Sequence, residues 1–228
     1  MTKLFKPLSI YFFGSLLWVT LATFLANGNA YLYFMLMLFW FLGILVIEIK
    51  HNKVLLSHDW QLLQNNKIKN IMLIIIGFVI LQIVVSLSGS FFRQFISEKN
   101  YFPTYSFAID TWLGIFMNFF SGVISLIIAF FEEIAYRYEL FYKFKNKGNI
   151  TSIALLIMSS VLFGLSHIYN FNGSVLGTLS YAAAGLILGL FYIISKNIWV
   201  PIIIHGLFNS VALIAPIVIL IFKITSLF

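Results

Sequence analysis

A series of continuous apolar runs constrains this chain more than anything else in it. They cover residues 8–26, 30–47, 71–89, 112 to about 142, 150–168, 174–195 and 198–222. All but the fourth, which is unusually long and interrupted by charge near its end, are close to the roughly 20 residues that an α-helix needs to cross a bilayer. None alternates with period two, as β-barrel strands do. Pro216 lies inside the last run, where a proline kinks or splits a helix. The expected fold is therefore all-α, a polytopic transmembrane helix bundle of seven or eight helices, with residues 1–228 as a single integral membrane domain. The chain is 61% hydrophobic and 9% charged, against about 45–50% and about 25% in soluble domains. That difference excludes a soluble domain, a disordered chain and a basic nucleic-acid-binding surface. The absence of Cys excludes disulfides, thiolate metal sites and a cysteine nucleophile.

Lys3 and Lys6 precede the first run as in a signal peptide, but the run is longer than a signal core, and a retained first helix is expected. Loop lysines set the orientation. With the N-terminus inside, Lys3, Lys6 and the lysines at 50, 53, 67, 69, 143, 145, 147 and 196 face the cytoplasm, while Arg93 and Lys99 face outward. The chain reads as a multi-pass protein of the cell membrane with a cytoplasmic N-terminus and the lipid bilayer as its partner. Lys223 is left undecided by the helix count. Residues 50–66 mix Val54, Leu55, Leu56, Trp60, Leu62 and Leu63 with polar residues, as a helix lying in the inner interface does. His51 and His58 there read as solvated residues, not ligands. Residues 93–110, with Pro103, read as an outer-face loop. The motifs Gly173-x-x-x-Gly177 and Gly185-x-x-x-Gly189 point to close helix packing. No internal repeat supports an inverted-repeat transporter, and nothing in the chain defines an oligomeric state.

Function is sought where polar groups enter the hydrocarbon, because ionisable residues there are costly and mark sites. Three runs carry them: Glu132, Glu133 and Arg137 in the fourth, His167 in the fifth, His205 and Asn209 in the seventh. Glu133 and Arg137 stand four apart with the acid first, so they share a helix face and neutralise each other. Glu132 is turned about 100° away, which leaves it as the working carboxylate. His205 and Asn209 share a face by the same spacing, as do Phe163 and His167, whose ring shields the imidazole. Ser166 adjoins His167 in sequence, but neighbouring helical residues point about 100° apart. A common depth requires the fourth helix to run on to about Lys145. If it ended at Arg137, Glu132 and His167 would lie near opposite membrane faces.

A carboxylate beside an imidazole takes a proton from water, and an imidazole with an amide donates hydrogen bonds to an oxyanion. Together they perform the division of labour of peptide-bond hydrolysis. The same residues also allow a metal site: Glu132, His167 and His205 make a two-His, one-carboxylate set suited to zinc with an open fourth position. The residues leave both open.

The constellation resembles the CPBP family of intramembrane proteases, also called the CAAX-protease and bacteriocin-processing or Abi family. Its three motifs stand in order as Glu132-Glu133-x-x-x-Arg137, Phe163-x-x-x-His167 and His205-x-x-x-Asn209, within a core of about residues 110–212. The resemblance implies a bundle of about eight helices and a polar cavity open to the cytosol. It implies glutamate-dependent endopeptidase activity near the membrane: Glu132 and His167 activate water, His205 and Asn209 bind the oxyanion, and Glu133, Arg137 and Phe163 support the site. The family has also been described as metal-dependent. The implied substrate is a bacteriocin-type, pheromone-type or other leader-bearing peptide, or a membrane protein. The alternative is a bacteriocin immunity protein that binds peptide without cutting it.

Overall fold

The structure, a computed structural model, describes residues 14–96 and 107–225. These residues fold into helices, with no strands among them. In chain order they are α1 (Gly14–Ala26), α2 (Ala30–His51), α3 (Lys53–Asn65), α4 (Lys67–Phe92), α5 (Trp112–Glu132), α6 (Asn149–Ser166), α7 (Leu179–Ser195), α8 (Trp199–Ser210) and α9 (Ile214–Thr225). Five spans are long and apolar enough to cross a membrane, α8 and α9 counting together as one, and two shorter apolar helices accompany them. The outer surface is inverted relative to a soluble protein. Leu17, Phe24, Ile68, Leu87 and Phe222 are all largely exposed, an arrangement stable only where lipid replaces water. The start of the first run and most of the 93–110 segment, with Pro103, lie outside the described residues.

The bundle has two ends, and side-chain contacts show which elements share each. At one end α2 finishes beside the end of the α5 segment, with His51 Nε2 4.0 Å from Glu139 Oε1. At the same end α3 docks on the α7–α8 junction. The buried Asp59 carboxylate accepts the Ile198 N–H at 2.8 Å, and Asn197 Nδ2 donates to the Asp59 carbonyl at 2.6 Å. Trp199 Nε1 adds a bond to the Leu56 carbonyl at 2.9 Å. Asp59 thus satisfies one of the donors that an α-helix leaves open at its start. The expected helix over 50–66 is found as α3, tied to the bundle through a residue that reading did not single out. His51 and His58 are solvated as expected, with side chains 56% and 66% exposed, although each has a carboxylate beside it.

The other end gathers the start of α2, the start of α5 and the tail of α9. Phe107 packs on Tyr31 and Phe34. The Lys223 ammonium donates to the Asp110 carbonyl and lies over the Trp112 ring. Lys223, undecided by sequence, therefore sits at the end where α5 begins. Ser174 Oγ donates to the Phe95 carbonyl at 2.7 Å, which brings the α6–α7 connection to the end of α4.

Three run boundaries differ from expectation for identifiable reasons. The last run does split, but at the 3₁₀ turn Val211–Leu213. A proline lacks its N–H and clashes with the carbonyl four residues back, so Pro216 forbids regular helix at Ala212. The sixth run does not begin a helix at 174. Gly173 has φ +83° and stands in a turn, so Gly173-x-x-x-Gly177 is not a helical packing motif. Gly185 and Gly189 are one: a Cβ on Gly189 would lie 2.3 Å from Leu156 Cδ1, and one on Gly185 3.0 Å from Ser160 Cα. Finally, α6 ends at Ser166, and His167 is its C-cap.

Candidate active site

The fourth run holds together as the depth argument requires. After α5 the chain passes into a π-helical segment, Glu133–Glu139, and then a 3₁₀ segment, Tyr142–Lys147. The Leu140 N–H bonds back to the Ala135 carbonyl at 3.1 Å, the five-residue span of a π turn, a feature concentrated at functional sites. Glu132 stands at the boundary between the two helical forms.

Glu132, His167, His205 and Asn209 line one cavity of about 780 Å³. Glu132 Oε1 lies 3.6 Å from His167 Nε2, and Glu132 Oε2 lies 3.8 Å from His205 Nε2. Both separations exceed hydrogen-bond length. The outer nitrogen of each ring is anchored. His167 Nδ1 is 2.8 Å from the Phe163 carbonyl, an acceptor only, so Nδ1 carries the hydrogen and a neutral ring turns its Nε2 lone pair to Glu132. His205 Nδ1 is 2.8 Å from Glu133 Oε1, so it too donates.

Glu133 therefore does more than the expected pairing with Arg137. That pairing is present, Arg137 Nε to Glu133 Oε2 at 3.1 Å, with side chains 1% and 0% exposed. The other oxygen of the same carboxylate holds His205, so one buried acid links the arginine to the imidazole. Phe163 also exceeds its expected role. Its ring is 4.8 Å from that of His167, and the Arg137 guanidinium lies 4.1 Å from its centre, a cation–π contact that is strong when desolvated. Its carbonyl fixes the His167 tautomer. The second and third motifs are thus joined to the first through Arg137 and Glu133.

Asn209 faces the cavity, and one hydrogen of its amide nitrogen is already used: Nδ2 donates to the Ser125 carbonyl of α5 at 2.9 Å. A primary amide has two N–H donors, so one remains. Ser166 also lines the cavity, with Oγ 3.2 Å from His167 Nδ1 and donating to the Phe163 carbonyl at 2.8 Å. The expected divergence of the two neighbours fails because His167 has left the helix. Two tyrosines were not anticipated. Tyr136 hydrogen-bonds Ser166, and the Tyr181 ring packs edge-on against His167 at 4.8 Å. Tyr136 lies inside the first motif, which was a usable signal; Tyr181 sits in a plain apolar run, with none.

As for a metal, no three His, Asp or Glu side chains among the described residues are arranged to hold one. The two imidazoles address different oxygens of Glu132 instead of a common point. The zinc set Glu132, His167 and His205 does not close in this structure.

Fold and site together define an integral membrane protein with a carboxylate flanked by two histidines at the foot of an intramembrane cavity. Residues 111–211 match the family model described as type II CAAX prenyl endopeptidase Rce1-like. That segment is similar to the family that the three motifs resemble; α1–α4 lie outside the match. No curated protein and no solved structure matches the chain.

Proposed function

We propose that the chain is an intramembrane endopeptidase that cleaves a peptide bond with water activated by Glu132. The observation that carries this is the gap between Glu132 and His167. An ionised carboxylate oxygen and an imidazole lone pair, 3.6 Å apart, are two acceptors that cannot bond each other. One water donating a hydrogen to each satisfies both. That water attacks the scissile carbonyl carbon and gives a proton to Glu132. The carbonyl becomes a tetrahedral oxyanion, which takes hydrogen bonds from His205 and the free amide hydrogen of Asn209. Glu132 then passes its proton to the leaving nitrogen as the C–N bond breaks. For His205 to donate through Nε2 while Nδ1 donates to Glu133, it must be the imidazolium, its charge matched by Glu133 on one side and the oxyanion on the other.

The proposed substrate is a hydrophobic or leader-bearing peptide, of bacteriocin or pheromone type, or a membrane protein. The test is Glu132→Gln at equal membrane abundance, with mass spectrometry of the peptide pools. Cleavage should fall by about 10²–10⁴-fold, the usual worth of a general base. Peptide pools identical to wild type would instead favour an immunity or peptide-binding protein.

A further inference from the structure

The face that α7 gives the cavity carries one polar side chain. Tyr181, Ala184 and Leu188 line it, at the i, i+3, i+7 spacing of a single helix face, and of the three only Tyr181 can form a side-chain hydrogen bond. Its ring is held on two sides. The His167 ring packs edge-on against it at 4.8 Å, and the Phe171 ring meets it at 4.9 Å and 89°. Edge-to-face contacts of this kind are favourable in themselves, and they fix the plane of the ring and with it the reach of the hydroxyl.

That hydroxyl bonds to none of the described residues. Three other hydroxyls on the cavity wall differ in this. Thr23, Ser125 and Ser166 each give their hydrogen to a carbonyl of their own helix, at Val19, Ser121 and Phe163. The Glu132 carboxylate is near enough to act on Tyr181 electrostatically, yet the two are not bonded. Tyr181 thus offers an uncommitted O–H donor beside the reacting centre, already oriented by its ring contacts.

The reaction leaves a need for a donor on this side. His205 and Asn209 serve the oxyanion. His167 has no hydrogen to give a substrate, because Nδ1 donates to the Phe163 carbonyl and Nε2 presents a lone pair. A peptide laid across Glu132 brings a further backbone carbonyl over His167, and a carbonyl taken out of water without a donor costs free energy. We infer that the Tyr181 hydroxyl donates to a substrate backbone carbonyl on the His167 side of the scissile bond and holds the peptide in register over Glu132. The group recognised is a main-chain amide, whatever side chains flank the cut, and Tyr181 is a substrate-positioning residue. This deepens the peptidase reading and rests on it. That carbonyl gains no charge as the scissile bond reacts, so the bond serves ground state and transition state alike. Losing such a contact raises KM and leaves kcat unchanged.

The test is Tyr181→Phe, which keeps the ring against His167 and Phe171 and removes only the hydroxyl. The probe is a synthetic copy of a peptide whose cleaved form appears in wild-type pools and not in those of Glu132→Gln. In detergent the full-length variant should match wild type in abundance, melting temperature and kcat. Its KM should rise about 2–10-fold, the net worth of one hydrogen bond. A wild-type KM overturns the inference. So does a lowered melting temperature, which makes the hydroxyl structural, and so does a fall in kcat at constant KM, which places it in the chemistry. Identical pools from wild type and Glu132→Gln would end the peptidase reading and this inference with it. An unchanged Tyr181→Phe beside an inactive Glu132→Gln would end this inference alone.

Discussion

Replacing Arg137 with methionine removes the guanidinium beside a fully buried carboxylate. Arg137 Nε lies 3.1 Å from Glu133 Oε2, and its guanidinium lies 4.1 Å from the centre of the Phe163 ring. Breaking a buried pair by removing one partner costs about 3–5 kcal/mol, because the remaining charge is left uncompensated. His205 still donates to Glu133 at 2.8 Å, which places the expected loss toward the lower figure. Even that figure is about a hundredfold in the folded-to-unfolded ratio. Arg137→Met should therefore accumulate poorly in the membrane and melt at a clearly lower temperature once solubilised in detergent. Replacing the whole pair by apolar groups of similar volume is commonly neutral or stabilising. The double variant Arg137→Met/Glu133→Leu should therefore recover part of the lost abundance and melting temperature, short of wild type because the buried His205 Nδ1 has lost its acceptor. It should not recover cleavage, since His205 has lost the carboxylate that orients it. Two results would refute this reasoning: a single variant as abundant and heat-stable as wild type, or a double variant that regains cleavage along with stability.

Asn209→Ala should lower kcat by about 10²–10³-fold, as loss of one oxyanion donor does elsewhere, with KM for a cleaved peptide little changed; a purely structural role would show as lost abundance instead. Asp59→Ala uncaps α8 and should cost about 0.5–2 kcal/mol, read as a lower melting temperature with normal cleavage per folded molecule. Cleavage should persist after treatment with millimolar EDTA and removal of the chelator, because the histidines address separate oxygens of Glu132; loss of activity restored by added zinc would instead favour the metal set.

How much of this was legible beforehand varies by element. The helical class follows from run length and apolarity alone, since a bilayer leaves the backbone few ways to satisfy its polar groups. The three motifs picked out Glu132, His167, His205 and Asn209, which line one cavity, because a charged or imidazole side chain in an apolar run stands out. Spacing within one helix also placed Glu133 with Arg137, and Phe163 with His167, since those contacts depend only on helical geometry. What spacing could not supply was every partnership between helices. The link from Glu133 to His205 crosses from the π segment to α8. Asn209 reaches α5 through a carbonyl that carries no side-chain signature. Asp59 reads as an ordinary polar residue on an amphipathic helix until the fold sets it against Ile198.

The amino-acid sequence alone determined that this protein is a membrane-embedded helical bundle, and it placed the ionisable side chains of the three motifs within its apolar runs. Those are consequences of composition and of helical periodicity, both local. The tertiary structure alone decided that Glu132 stands between two imidazoles anchored at their far nitrogens, and that one cavity gathers residues from α5, α6, α7 and α8. Such facts depend on the rotation and relative depth of separate helices. Packing sets both, through contacts such as Gly189 against Leu156 and the tie from Asp59 to Ile198, between residues distant in the chain.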